Sequence, residues 1–112
     1  MKIASELEPD GGLPGKDISD RAARSAAALL AFVGAGHTES QGAFRLHVQR
    51  LLTFLRSLAG LPAAESELIR AVIGAAESGK AWEGKWLKLA LGDRGIWPAL
   101  RKAAAHSQAS HK

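Results

Sequence analysis

The chain has 112 residues, no cysteine and a formal net charge of +4, and 46% of its residues are hydrophobic. This length fits one domain with its own core, and the lack of cysteine excludes disulfides and thiolate metal sites. The longest apolar run, residues 26–33, is too short to span a bilayer, and the N-terminus lacks the apolar stretch of a signal peptide. We therefore expect a cytoplasmic protein that does not act at a membrane.

The apolar residues favour helices. The 15 leucines and 22 alanines far outnumber the 5 isoleucines and 3 valines, and strands prefer β-branched residues. Alanine adds little volume, so the helices should approach closely around a thin core. The sequence predicts an all-α fold, a compact bundle of four to five short helices, with a single helical domain over residues 17–106.

Residues 1–16 are predicted to be a flexible leader, because two prolines and three glycines within residues 8–16 prevent a regular element. Asp17 or Ser19 can cap a first helix that runs to about Val33. Its apolar face is rich in alanine and leucine, and Gly34 and Gly36 mark its end.

The second predicted helix covers residues 38–60, and we expect the other helices to pack around it. Thr38 and Gln41 have the spacing of a capping box, and Gly60 with Pro62 forms a stop signal. Its apolar residues follow one helical stripe: Phe44, Val48, Leu51, Leu55 and Leu58.

Three further helices follow. Pro62 is suited to the first turn of a third helix that ends near Ser78. A fourth is predicted over residues 81–91, and a fifth runs from Pro98 toward Ala105. Residues 107–112 are predicted to be a disordered tail.

The chain contains one string that resembles a nucleotide-binding loop, at residues 74–81. It has the glycines and Lys80 of a P-loop, but Ala81 stands where Mg²⁺ requires a hydroxyl, and no strand precedes it. The four histidines lack the spacing of a metal site. We find no catalytic constellation, and expect a protein that is not an enzyme and binds no cofactor or metal.

Aromatic and cationic residues alternate near the C-terminus. The tryptophans either fill an alanine-rich core, with the cations in water, or form a partner-binding surface. The candidate residues are Trp82, Trp86, Trp97, Lys85, Lys88, Arg101 and Lys102.

Arg45, Arg50 and Arg56 lie off the apolar stripe of the second helix, with no acid beyond Glu39 to pair with them on that helix. They face either water or an anionic partner. The leading prediction is a protein-interaction module, such as an adaptor, regulator or assembly subunit, whose partner can be a second copy of itself. The alternative is a nucleic-acid-binding protein that contacts the phosphate backbone through these cations.

Overall fold

The computed structural model describes residues 7–38, 40–80, 82–92 and 95–109, with side chains through residue 106. Its described residues contain no strand, and its radius of gyration is 12.5 Å, close to the value of about 13 Å expected for a globular chain of this size. The all-α prediction is therefore confirmed. The helices are α1 (Ile18–Gly34), α2 (Arg45–Arg56), α3 (Ala63–Glu77), α4 (Trp86–Leu91) and α5 (Ile96–Ala109).

The helix at the centre of the bundle is α1, which contacts all four of the others. The expectation that the second helix occupies this place is wrong. Alanines on several sides of α1 let its neighbours approach its backbone closely, so the helix is buried around most of its circumference. Its start is as predicted, because the Asp17 side chain accepts a hydrogen bond from the Asp20 N–H at 2.8 Å. Its buried residues are Ala22, Ala23, Ser25, Ala26, Ala27, Ala28, Leu29, Leu30, Phe32 and Val33.

The N-cap of α2 is Phe44, six residues after Thr38, the N-cap that the capping box predicted. Thr38 Oγ1 does accept from the Gln41 N–H at 3.1 Å, but the Thr38 N–H also donates to the Gln41 carbonyl, which closes a local turn. Gly42 follows with φ +91°, a conformation that a right-handed helix cannot include. The apolar stripe is nevertheless buried at Val48, Leu51 and Leu55.

The third helix matches its prediction, with Pro62 at the N-cap. The helix α4 is shorter than predicted, and Ala81, its predicted first residue, lies outside the described residues. The Trp86 ring folds back over Gly84, where a Cβ atom would lie 2.8 Å from the ring. Trp86 Nε1 donates to the Trp82 carbonyl at 2.7 Å, and this contact holds the preceding residues in a loop.

The helix α5 is longer than predicted at both ends. Pro98 is its third residue, a position where the missing N–H removes no intrahelical bond. The helix continues to Ala109, so the described part of the predicted tail, residues 107–109, has a helical backbone.

The described part of the predicted leader, residues 7–16, contains no helix, as expected, but it packs on the bundle. We call these residues the N-terminal strap. Leu13 is only 2% exposed, its N–H donates to Ser25 Oγ at 2.9 Å, and its carbonyl accepts from Arg21 Nε at 3.0 Å. The glycines that break the helix also allow the strap backbone to reach α1 and α2. The flexibility expected for residues 1–16 stays a prediction.

Candidate interaction surface on α1 and α4

Two of the three arginines predicted as a basic row on α2 are bound within the chain. Arg50 Nη2 donates to the Glu8 carbonyl of the strap at 2.8 Å. Arg56 pairs with Glu77 of α3 at 2.5 Å. Arg45 is exposed and forms no ion pair with another described residue. The three arginines therefore do not form one free basic row.

The N-terminal half of α1 also satisfies its own charges. Arg21 Nη2 donates to both carboxylate oxygens of Asp10, at 2.7 and 2.9 Å, and this hydrogen bond is the main reason that the pKa of Asp10 is lowered. Burial raises the pKa of Asp20, but hydrogen bonds from the Lys16 N–H and from Arg24 together lower it below its ordinary value. Both arginines in this half of α1 are thus paired within the chain.

The structure separates the three candidate tryptophans. Trp86 is 4% exposed and belongs to the core, so its ring is not an open anchor. Trp82 and Trp97 are partly buried and pack against the core, each leaving part of its ring at the surface. Trp82 precedes α4 and Trp97 lies in the first turn of α5.

An open groove of about 740 Å³ lies between the last turns of α1 and the residues that lead into α4. We call it the α1–α4 groove. Leu30 and Trp86 are its most buried lining residues, and Leu87 lies at its edge with 44% of its surface exposed. The lining residues are Leu30, Ala31, Gly34, Ala35, Trp82, Glu83, Gly84, Lys85, Trp86, Leu87 and Lys88.

Charge is uneven across this groove. The wall formed by α1 has no charged side chain, since residues 25–36 contain none. The other wall carries Lys85 and Lys88, both exposed, together with Glu83. Neither lysine forms an ion pair with any residue in the described ranges. Two free cations therefore border an apolar surface.

The other two candidate cations, Arg101 and Lys102, are exposed on α5 and do not line the groove. They also have no ion pair among the residues that the structure describes. The structure therefore brings together Trp82, Trp86, Lys85 and Lys88 at the groove, and places the remaining candidates elsewhere.

Sequence reasoning missed the groove and its exposed leucines. Leu87 and Leu91, 44% and 43% exposed, are one helical turn apart on α4 and lie off the stripe formed by the tryptophans. A second apolar face on a helix with lysines nearby was a usable signal of an exposed contact surface. The wall supplied by α1 could not be found this way, because residues 30–35 and 82–88 meet only in the folded chain.

A ring cluster joins the end of α1 to the start of α2. Phe44 packs against His37 and His47, with ring centroids 5.0 and 5.3 Å away, and Phe32 lies 5.4 Å from Phe44. Nδ1 of each histidine is buried without a hydrogen-bond partner. The described residues hold no group of three His, Asp or Glu residues that could bind a metal, and we interpret this cluster as packing.

A smaller groove of about 400 Å³ separates α2 from α3. The Arg56–Glu77 ion pair lies at this groove, so its lining already has an internal charge partner. Arg70 also lines this groove and forms no ion pair with a described residue, so the smaller groove holds one such cation and the α1–α4 groove holds two.

No protein-family model, curated protein or solved structure matches this chain. Among the helices in the described ranges, none combines the length and the apolar character needed to cross a bilayer.

Proposed function

We propose that this chain is a non-enzymatic protein-interaction module, an adaptor, regulator or assembly subunit of the cytoplasm, which binds its partner through the α1–α4 groove. One observation carries the proposal: an open apolar groove is bordered by Lys85 and Lys88, which no described residue neutralises. The arginines of α1 and α2, except Arg45, form hydrogen bonds or ion pairs within the chain.

Two leucines of α4 expose apolar surface to water. Leu87 and Leu91 remain in water although each would contribute favourable free energy on burial, about 25 cal/mol per Å² of apolar area removed from water. Leu87 lines a concave surface that also contains aromatic and aliphatic side chains. Concave apolar surfaces with a few polar groups at the edge are typical of binding sites.

The lining of the groove also supports a binding role over a catalytic one. Its ionisable residues are Glu83, Lys85 and Lys88, all of which are exposed to water. General acid–base catalysis depends on groups whose pKa is tuned by burial or by a specific charged neighbour. The ionisable lining residues have neither a buried setting nor an ion-pair partner in the described chain.

The test is site-specific photocrosslinking of the full chain in the cells that produce it. A photoreactive phenylalanine analogue replaces Leu87 at the groove, and in a matched control it replaces Leu46, which is 61% exposed on α2. We expect discrete protein adducts from position 87 and none from position 46, with the partner then confirmed by binding of the purified proteins. Absence of adducts at position 87, or equal adducts at both positions, would contradict the proposal. An adduct of twice the chain mass would identify the partner as a second copy.

Backbone binding of nucleic acid is the second candidate, supported by the five candidate cations without ion pairs in the described chain: Arg45, Lys85, Lys88, Arg101 and Lys102. Titration of fluorescent single-stranded and duplex oligonucleotides at near-physiological salt tests it. If this candidate is correct, replacing Lys85 and Lys88 by glutamine lowers the slope of log affinity against log salt by about two. The internal bonds of Arg50 and Arg56 reduce the free basic surface, and for this reason we favour the protein partner.

A further inference from the structure

We infer that the occupant of the α1–α4 groove is an acidic amphipathic helix of a partner protein. This inference rests on the proposed function, and it specifies the chemistry of the partner. Three features of the groove support it: its unbalanced positive charge, the absence of a strand edge in the described chain, and its apolar lining.

The two walls of the α1–α4 groove differ in charge. Lys85 and Lys88 outnumber Glu83 on one wall, Lys80 lies shortly before it, and the α1 wall is uncharged. A partner that covers the groove removes water from these lysines, which is unfavourable unless the partner supplies negative charge. Carboxylates at the edge of the partner's contact face compensate for the lost water by pairing with the lysines. An acidic partner should therefore bind more tightly than a basic one.

The helical form follows from the backbone. The described chain has no strand to which an extended peptide could add. At the end of α1, the carbonyls of Ala31, Phe32 and Val33 already accept hydrogen bonds from the backbone N–H groups of residues 35–37. An extended segment would therefore find few backbone partners on the α1 wall, whereas a helix satisfies its own N–H and C=O groups.

The apolar lining requires a matching stripe on the incoming helix. Ala31, Trp82 and Leu87 present aliphatic and aromatic surface to the groove, so the ligand needs apolar side chains that recur at helical spacing. A second copy of the chain does not readily supply such a helix. Its most acidic helix, α3, already buries Ile69, Val72 and Ala76 within its own core.

The test uses three synthetic peptides, each about five turns long and held helical by a hydrocarbon staple. The first has leucines at i, i+3, i+4 and i+7 with glutamate at the other positions. The second replaces every glutamate by lysine, and the third keeps the acidic composition but scrambles the order. In fluorescence anisotropy at near-physiological salt, we expect the first peptide to bind the full chain at least about tenfold more tightly than either control.

Charge reversal at Lys85 and Lys88 then tests whether these two lysines cause the preference for the acidic peptide. In the double variant Lys85→Glu/Lys88→Glu, we expect the preference to invert, so that the basic peptide binds more tightly than the acidic one. The matched control is Arg101→Glu/Lys102→Glu, which changes the net charge equally but lies outside the groove lining. This control should keep the acidic preference, and Leu87→Glu should abolish binding of the acidic peptide. Circular dichroism checks that each variant retains its helices.

The acidic-helix inference and the proposed function can be contradicted separately. Equal binding of the acidic and basic peptides, weak binding of all three, or no response to Lys85→Glu/Lys88→Glu would overturn the acidic-helix inference. These outcomes would leave untouched a positive result from crosslinking at position 87. Absence of adducts at that position would remove the proposed function itself.

Discussion

The two halves of α1 border regions that use charge differently. At its N-terminal half, Arg21 pairs with Asp10 of the strap and Arg24 with Asp20. At its C-terminal half, the lysines before and within α4 have no ion pair in the described chain. Both regions contain cations, but the two arginines of the first are paired, whereas Lys85 and Lys88 of the second are not. The comparison teaches that a count of basic residues does not locate a binding surface, because the partners of each cation decide its role.

Backbone packing also differs between the two regions, since the strap is closely packed and the α1–α4 groove is open. In the strap, Gly11 and Gly12 touch the Arg50 backbone and the Phe54 ring, so this side is closely packed. The α1–α4 groove remains open to solvent, with Leu87 at its edge. We therefore expect substitutions at the strap to change stability, and substitutions at the groove edge to change binding.

The largest effect is expected from Gly11→Ala, compared with Gly36→Ala as a control. Both glycines have nearly the same positive φ, +93° and +92°, but a Cβ atom at Gly11 would overlap the Arg50 carbonyl oxygen, whereas at Gly36 it meets no atom within 4 Å. We expect a loss of about 3 kcal/mol in unfolding free energy for Gly11→Ala and about 1 kcal/mol for Gly36→Ala, measured by urea denaturation. Equal losses would show that the strap does not pack against α2 in solution.

A smaller loss is expected from Ser25→Ala. Ser25 is fully buried, and its Oγ accepts from the Leu13 N–H, which the alanine variant leaves without that acceptor. The expected cost is about 1–3 kcal/mol in unfolding free energy. Ser78→Ala is the matched control, since the Ser78 hydroxyl donates to the Gly74 carbonyl at an exposed site, and it should change stability by less than about 0.5 kcal/mol. A cost for Ser25→Ala as small as that of the control would contradict the buried strap.

The Asp10–Arg21 pair should make the unfolding free energy depend on pH in the acidic range. Because the pKa of Asp10 is lowered in the folded state, its contribution is present at neutral pH and is lost as pH falls from about 4, the ordinary range of Asp, through the lower folded value. Asp10 is half-exposed, so we expect Asp10→Asn to cost less than about 1 kcal/mol at pH 7. The difference between the two proteins should shrink in urea titrations below pH 4. A difference that is constant across this range would show that the pair does not form.

The smallest effect on stability is expected from Lys85→Gln/Lys88→Gln. Both lysines are exposed and without ion pairs in the described chain, so the unfolding free energy should change by less than about 0.5 kcal/mol. Arg24→Gln, which loses the bond to Asp20 at 3.0 Å, should cost more under the same conditions. If the lysine variant is the less stable of the two, these lysines have a structural role and the contrast between the regions is wrong.

Capping residues and proline in the sequence predicted the starts of α1 and α3, because these starts depend only on residues nearby in the chain. Asp17 caps α1 through a residue three positions away, and Pro62 precedes α3 as its fixed φ favours. The starts of α2 and α4 were misplaced because ring contacts, from His37 against Gly42 and from Trp86 over Gly84, override the local pattern. Propensity and capping signals do not include such contacts.

The candidate site depended even more on contacts between distant residues. Arg50 binds a carbonyl 42 residues away and Arg56 a carboxylate 21 residues away, and neither partner can be inferred from helical spacing. The sequence did identify Trp82, Trp86, Lys85 and Lys88, because they are close together in the chain. The surface that faces them, from Leu30 to Ala35, becomes part of the site only through the packing of α4 on α1. A binding function for this surface stays a prediction.

The central claim, that an acidic helix binds at the α1–α4 groove, can be tested most directly with the three tryptophans as reporters. Their indole N–H groups give separate signals in ¹⁵N-labelled protein, and the stapled acidic peptide can be added stepwise. Trp82 and Trp86 line the groove and Trp97 does not. We predict saturable shifts of the first two indole signals with the third unchanged. A shift of Trp97 alone, or no shift of any indole at saturating peptide, would contradict the account.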